Sequence, residues 1–328
     1  MVKEIRGYFS TIFYCLKEGK FKGVLLQSLI TIIILLNTYV KKFKYTLLKF
    51  SQRKNGREII VEINNRYKMY LNFDDKGICP DLMMNKTREV FSTAHFQKII
   101  TEDMTIIDIG ANIGYYALLE SQLASKGHVF AIEPVSGNYN LLIKNIALNN
   151  CNNISTYNLA IGNIDGYLDM YIYDKCNWSS FTKIPGENIT DTIQVPIVTL
   201  DNFIESYLPH NPHFIRMDVE GFEYEIVMGS QKTLRMAAPL ILCIEMHPHL
   251  MSREKVTAII KIMKDNGFRV NAIFNEMDVS ELKFFNIFNQ LQNILHLPAF
   301  GYIGNSFSSL EQIMDQGEGA IVFFEKST

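Results

Sequence analysis

Two periods of hydrophobicity run along this chain, and the change between them marks its plan. From Thr105 onward, short apolar runs recur between longer amphipathic segments, which is how buried parallel strands joined by crossover helices read in sequence. The runs predict strands at Thr105–Ile109, Val129–Glu133, Ile154–Leu159, Phe214–Val219, Leu240–Met246, Arg269–Phe274 and Ala320–Glu325. Helices are predicted around Tyr115–Ser125, Asn138–Asn149, Phe222–Met236 and Arg253–Asn266. This is an α/β fold built on an open, mostly parallel sheet. Ahead of it, Ile59–Ile63 and Lys68–Asn72 read as short strands around the turn Asn64-Asn65, and Lys86–Ile100 reads as a helix leading into the domain. One insert carries Tyr167–Tyr173 and Ile193–Val198 as an antiparallel pair flanking Cys176-Asn177-Trp178-Ser179-Ser180. A second runs from about Asn275 to Gly319, and such inserts usually help build the substrate pocket.

The N-terminal pattern differs. No charged residue occurs from Gly23 through Val40, and lysines at 17, 20, 22, 41, 42 and 44 flank the run on both sides. A spanning helix needs roughly 20 apolar residues, which this run barely reaches with Gln27, Ser28, Thr31, Asn37 and Thr38 inside it. Its polar stripe and basic flanks suit a helix lying in the interface of an anionic leaflet. The alternative is an apolar helix packed on its own domain or on a partner. The run starts late and lacks an A-x-A-like exit, which argues against a cleaved signal peptide. The basic, polar stretch Ser51 to Arg57 is the expected boundary, giving an N-terminal extension over residues 1–57 and one catalytic domain over 58–328.

Composition narrows the partners. A chain of 328 residues with 48% hydrophobic and 20% charged residues is globular, and a net charge of −2 gives no long-range attraction to nucleic acid. Five scattered cysteines without a C-x-x-C pair fit neither a disulfide framework nor a zinc site, so a reducing, cytoplasmic setting is expected, with the apolar N-terminus at the cytoplasmic face of a membrane. Oligomeric state is not legible.

The candidate chemistry sits at strand ends. Ile106-Ile107-Asp108-Ile109-Gly110-Ala111-Asn112-Ile113-Gly114 is an apolar strand that breaks into small residues and then opens a helix. Gly110 and Gly114 lack a Cβ, so a ligand can press on the turn, and the helix start favours an anionic group. Asp108 is placed to accept from a cationic amine. The next strand ends at Glu133, about 20 residues beyond the glycines, where this architecture puts an acid on ribose hydroxyls. A dinucleotide fold would use the same acid. The turn decides: it reads D-x-G-x-N-x-G, not G-x-G-x-x-G, and Asn112 opposes a pyrophosphate where a close-approach glycine would be needed. S-adenosylmethionine, whose carboxylate suits the helix start, is the expected cofactor.

A second strand end, Phe214-Ile215-Arg216-Met217-Asp218-Val219-Glu220-Gly221-Phe222-Glu223, crowds three acids on one turn, although Glu223 serves equally well as a partner of the helix dipole. Leu240 to His247 adds Glu245 and His247 on the same rim. A metal on Asp218, Glu220 and Glu245 is conceivable, but no dedicated ligand spacing is visible and none is expected. Trp178 suits stacking on a sugar or capping the site, or simply anchoring its loop. His95, His210, His213 and His249 read as structural or surface residues.

With the D-I-G-A-N-I-G-Y-Y turn, the F-A-I-E-P strand end, the V-T-L-D segment at Val198–Asp201, the M-D-V-E-G-F-E turn and the I-L-C-I-E strand in this order, the chain resembles FkbM-type methyltransferases over roughly Tyr67 to His247. The resemblance implies the class I methyltransferase fold, a doubly wound seven-stranded sheet, with S-adenosylmethionine as donor and a hydroxyl of a sugar, glycan or other small molecule as acceptor. Carried over by residue, Asp108, Gly110, Asn112, Gly114 and Glu133 match cofactor positions, and Asp218, Glu220 and Glu245 match acidic positions near the acceptor. His247 joins them as a candidate for orienting or deprotonating the acceptor. The rival readings are a nicotinamide-dependent oxidoreductase and a non-catalytic, membrane-tethered binding protein.

Overall fold

The computed structural model describes residues 39–40, 43–50, 58–173, 179–184, 186–236, 239–275 and 302–326. The apolar run up to residue 38, the boundary at 51–57, Cys176 to Trp178 and most of the second insert lie outside the described residues.

Strand β1 (Glu58–Ile63) pairs antiparallel with β2 (Tyr67–Asn72). Asn64 and Asn65 both take φ of 53°, the left-handed conformation a tight hairpin turn requires and asparagine tolerates. The backbone N–H groups of Lys68 and Tyr70 donate to the side-chain oxygens of Asn149 and Asn145, which docks the free edge of β2 on the domain. The helix expected over Lys86–Ile100 is shorter, Val90–Ile99, and an earlier one spans Ile78–Asn85. Between them Lys86 and Glu89 take left-handed φ of 60° and 43°. The Tyr115 hydroxyl holds this turn, accepting from the Arg88 N–H and donating to the Arg88 carbonyl, each at 2.9 Å.

The main sheet is built from β3 (Thr105–Ile109), β4 (His128–Ile132), β5 (Ile154–Tyr157), β9 (Phe214–Met217), β10 (Leu240–Met246), β11 (Arg269–Phe274), β12 (Tyr302–Gly304) and β13 (Ala320–Lys326). A separate three-stranded sheet holds β6 (Ala160–Gly162), β7 (Gly166–Tyr173) and β8 (Ile189–Thr199), with β7 and β8 antiparallel as expected for the first insert. The main order is β12-β11-β13-β10-β9-β3-β4-β5. Strands β5 through β10 in that order are mutually parallel, and β13 runs antiparallel to both β10 and β11. This is the doubly wound, class I methyltransferase-like arrangement; the seven predicted strands are present, and β12 adds an eighth at the edge beside β11.

Alternation along the strands divides the core. Ile107, Ile109, Ile215, Met217, Leu242 and Ile244 pack into one cluster, while Ile106, Phe214 and Cys243 join another that includes the helix Tyr115–Leu123. The helix expected over Phe222–Met236 is two, Glu223–Met228 and Gln231–Arg235. They break at Gly229, where a Cβ would lie 1.8 Å from the Gly162 carbonyl oxygen of β6. Close backbone approach by the insert sheet therefore dictates the interruption.

Candidate active site

The chain runs outward from β3 to β4 and β5, then returns to β9 and β10 on the other side of β3. The order reverses between β3 and β9, and in open α/β sheets ligands bind beyond the strand ends at that point. A cavity of about 430 Å³ lies there. Gly110, Asn112 and Glu133 line one part of its wall, and Asp218, Glu220, Glu245 and His247 line another.

The turn after β3 is tied down by the chain's own hydrogen bonds. Gly110 and Ala111 N–H groups both donate to the Ile132 carbonyl at 3.0 Å, and the Asn112 N–H donates to Glu133 Oε2 at 2.9 Å. Glu133 Oε1 accepts from the Val135 N–H. The Asn138 side chain hydrogen-bonds the same carboxylate. Burial pushes the Glu133 carboxyl up to about 7. Gly110 has φ of +81°, and a Cβ on it would lie 2.0 Å from the Asp218 carbonyl oxygen, so β3 and β9 can meet beneath the cavity only with glycine here.

Two predicted cofactor residues lie elsewhere. Asp108 and Gly114 are not on the cavity wall. Gly114 caps the helix Tyr115–Leu123 with φ of +96° and abuts Leu142. Asp108 points to the sheet face opposite Ile107 and Ile109, under that helix, and is fully buried. Its Oδ1 accepts from Arg216 Nη1 at 3.0 Å, and Arg216 Nη2 donates to Asp218 Oδ2 at 2.9 Å. The Tyr116 ring covers the guanidinium at 4.2 Å. Burial holds Asp108 above the usual carboxylate range despite Arg216. Asp218 is also opposed by burial, yet Arg216, His247 and Arg88 hold it below that range.

The acidic rim is more compact than its sequence spacing suggests. Glu223 is fully buried and its Oε1 faces His247 Nδ1 at 2.7 Å; the same oxygen accepts from the Gly221 N–H. His247 Nε2 then faces Glu220 Oε2 at 3.7 Å and Glu245 Oε1 at 3.6 Å. Burial disfavours the imidazolium, but Glu223 and Glu245 outweigh it and raise the His247 pKa well above the ordinary value. Burial pushes Glu220 up to about 8, and burial with the Asp218 charge pushes Glu245 up to about 7. Glu220 sits in a left-handed conformation, φ 51°, with its carbonyl accepting from the Ser180 hydroxyl at 2.7 Å. Asp218, Glu220 and His247 also bring ligand atoms within 4.8 Å of one another, a spacing able to hold a metal ion.

Arg216, Arg88, Glu89 and Tyr116 also line the cavity without having been assigned a role from sequence, as does His249, which was read as a structural or surface residue. Arg88 pairs with Glu89 at 2.6 Å, and the Tyr116 hydroxyl donates to the other Glu89 oxygen. Tyr116 ends the D-I-G-A-N-I-G-Y-Y turn, and Arg216 stands as a lone cation within an apolar strand.

The family model "Methyltransferase FkbM domain" matches residues 108–270. Among curated proteins, Methyltransferase 1 of Beauveria bassiana (strain ARSEF 2860) is 24% identical over 149 residues, covering 39% of this chain and 59% of that protein, so the match spans little more than half of the relative's length. Solved structures with similarity include M. jannaschii TYW2 in complex with AdoMet, at 10% identity and TM-score 0.43, covering 82% of this chain and 85% of that one. A SAM dependent methyltransferase from Aquifex aeolicus is similar at 18% identity and TM-score 0.35, covering 57% and 85%. Residues 108–270, the stretch that carries the strand-end motifs and the cavity acids, thus match the methyltransferase FkbM domain.

Proposed function

We propose that this protein is an S-adenosylmethionine-dependent methyltransferase that methylates a hydroxyl oxygen of a sugar, glycan or other small molecule. The observation that carries the reading is the cavity between the tips of β3, β4, β9 and β10, which joins a glycine turn and ribose-type acid to a buried cluster of carboxylates. The fit to the cofactor is chemical. Burial lifts Glu133 to about 7, and burial with neighbouring carboxylates lifts Glu220 and Glu245 to about 8 and 7; a ligand bearing cationic sulfonium and ammonium groups relieves such acids. Asn112 at φ 50° in the turn leaves no second close-approach glycine for a pyrophosphate, which disfavours the nicotinamide reading.

When bound, the cofactor supplies an already activated methyl group. What remains for the chain is alignment and the acceptor's proton. Glu133 would hold the ribose hydroxyls, and the turn from Gly110 to Asn112 would cradle the nucleoside side. Asp218, ionised beside Arg216, would orient the cationic end. Glu245, pushed up to about 7, exchanges its proton near neutrality and is suited to take one from a hydroxyl. Glu223 fixes His247 through Nδ1, so that Nε2 is presented to Glu220 and Glu245.

The test is transfer of labelled methyl from S-adenosylmethionine into fractionated extracts of the source cell. The expected product is a labelled glycan or small molecule, with its methyl ether stable to mild base. Asp218→Asn and Glu220→Gln are expected to cut turnover by about 10²-fold or more, and by more than they weaken cofactor affinity. Label appearing only in protein or nucleic acid would reject the acceptor class, and full activity in both variants would remove the acidic rim from the mechanism.

A further inference from the structure

We propose that the helix at residues 43–50 docks this protein on an anionic lipid surface. Among the described residues no helix is long and apolar enough to cross a membrane, so the proposal concerns a helix lying on one. Its inward side is fixed: Tyr45 and Leu48 pack on the domain core, and the Tyr45 hydroxyl and Lys49 Nζ both donate to the Phe73 carbonyl, at 3.1 and 2.7 Å. Its outward side is apolar. Phe43, Leu47 and Phe50, at i, i+4 and i+7, share one helical face and are 59%, 52% and 74% exposed. Tyr39 and Val40 are exposed just before them. Large apolar side chains rarely align in this way on a surface that meets only water.

Charge selects the occupant. No Asp or Glu occurs between positions 19 and 57, whereas Lys41, Lys42, Lys44, Lys49, Arg53 and Lys54 fall within and beside the helix. The chain as a whole is at −2, so the positive charge is concentrated on this segment. A basic segment with an aromatic and leucine face fits an anionic bilayer, whose headgroups attract the cations and whose acyl boundary receives the rings. Nucleic acid would engage the cations but leave Phe43, Leu47 and Phe50 in water. The hydrogen bonds to Phe73 tie the helix to the segment that carries Ile78 to the cavity wall. The inference stands independently of the acceptor's identity.

The full chain should be sedimented with vesicles of phosphatidylcholine alone and of phosphatidylcholine with about 30% phosphatidylglycerol, at low and high salt. The expected result is partition at least about 10-fold stronger on the anionic vesicles and weakened by salt. In the full chain, Phe43→Ser with Leu47→Ser and Phe50→Ser should weaken that partition by about 10-fold or more, and Lys44→Gln by up to about five-fold. Circular dichroism should show unaltered folding, since the three changed side chains are exposed. The proposal is overturned if the triple variant binds as tightly as the parent, if the parent ignores anionic vesicles, or if the triple variant instead dissolves a self-associated form or abolishes RNA binding.

Discussion

Arg216 lies beside Asp108 in the register of two neighbouring parallel strands, and its guanidinium links that buried acid to Asp218 at the cavity. Asp108 Oδ2 has no hydrogen-bond partner, so the carboxylate depends on Arg216 for compensation. Removing one member of such a pair leaves an uncompensated buried charge. Arg216→Met should therefore destabilise the fold by about 3–5 kcal/mol, read by denaturant unfolding, and adding Asp108→Leu should recover a large part of it. A loss below about 1 kcal/mol for the single variant would mean the pair is solvated or already neutral. The same residues show what a sequence conceals. Acids and glycines at strand ends were legible because period and position place them near the switch point. Asp108 was read as accepting from the cofactor amine, directly or through water; its alternation with Ile107 and Ile109 turns it beneath a helix, while Arg88 and Glu89 reach the cavity through a turn with no motif of its own.

At the scale of elements, most strands were legible because buried parallel strands are continuous apolar runs. Turns that interrupt helices were less so. The break at Gly229 comes from the approach of β6, a contact 67 residues away in sequence, and no local pattern signals it. The V-T-L-D segment gains a structural reason. Thr199 caps the helix Leu200–Tyr207, accepting from the Asn202 N–H, and the Asp201 carboxylate accepts from the N–H groups of Lys232 and Thr233 at 2.8 and 2.9 Å. Those amides belong to the first turn of the helix Gln231–Arg235, so Asp201 caps a helix other than its own. Asp201→Ala should lower stability by about 1–2 kcal/mol in thermal or chemical unfolding without altering cofactor affinity. A variant of parental stability, or one that loses cofactor binding while folded, would contradict that role.

The whole molecule concentrates opposite charges in different places: cations toward the N-terminal helix and carboxylates around the cavity. Glu133, Glu220 and Glu245 are pushed up to about 7, 8 and 7, well above the ordinary carboxylate range. The unfolded chain releases those protons first, so their contribution to stability diminishes as pH rises from that range through 7 to 8. His247, also raised by its carboxylate neighbours, adds a loss of the same sign above the ordinary histidine value. Thermal scans of the ligand-free protein should show the midpoint falling from pH 6 to pH 8, and S-adenosylmethionine should flatten the fall by stabilising the ionised cluster. A midpoint that rises over this interval would show that the carboxyls are ionised in the free protein.

The central claim is that the cavity receives a sulfonium nucleoside held by Glu133. Isothermal titration of the purified full chain with S-adenosylmethionine and, separately, with NADH tests it most directly. A single site for S-adenosylmethionine and none for NADH are expected, with affinity reduced by about 10-fold or more in Glu133→Gln and less in Asp108→Asn, which lies behind the wall. Binding of NADH without S-adenosylmethionine, or undiminished affinity in Glu133→Gln, would contradict it.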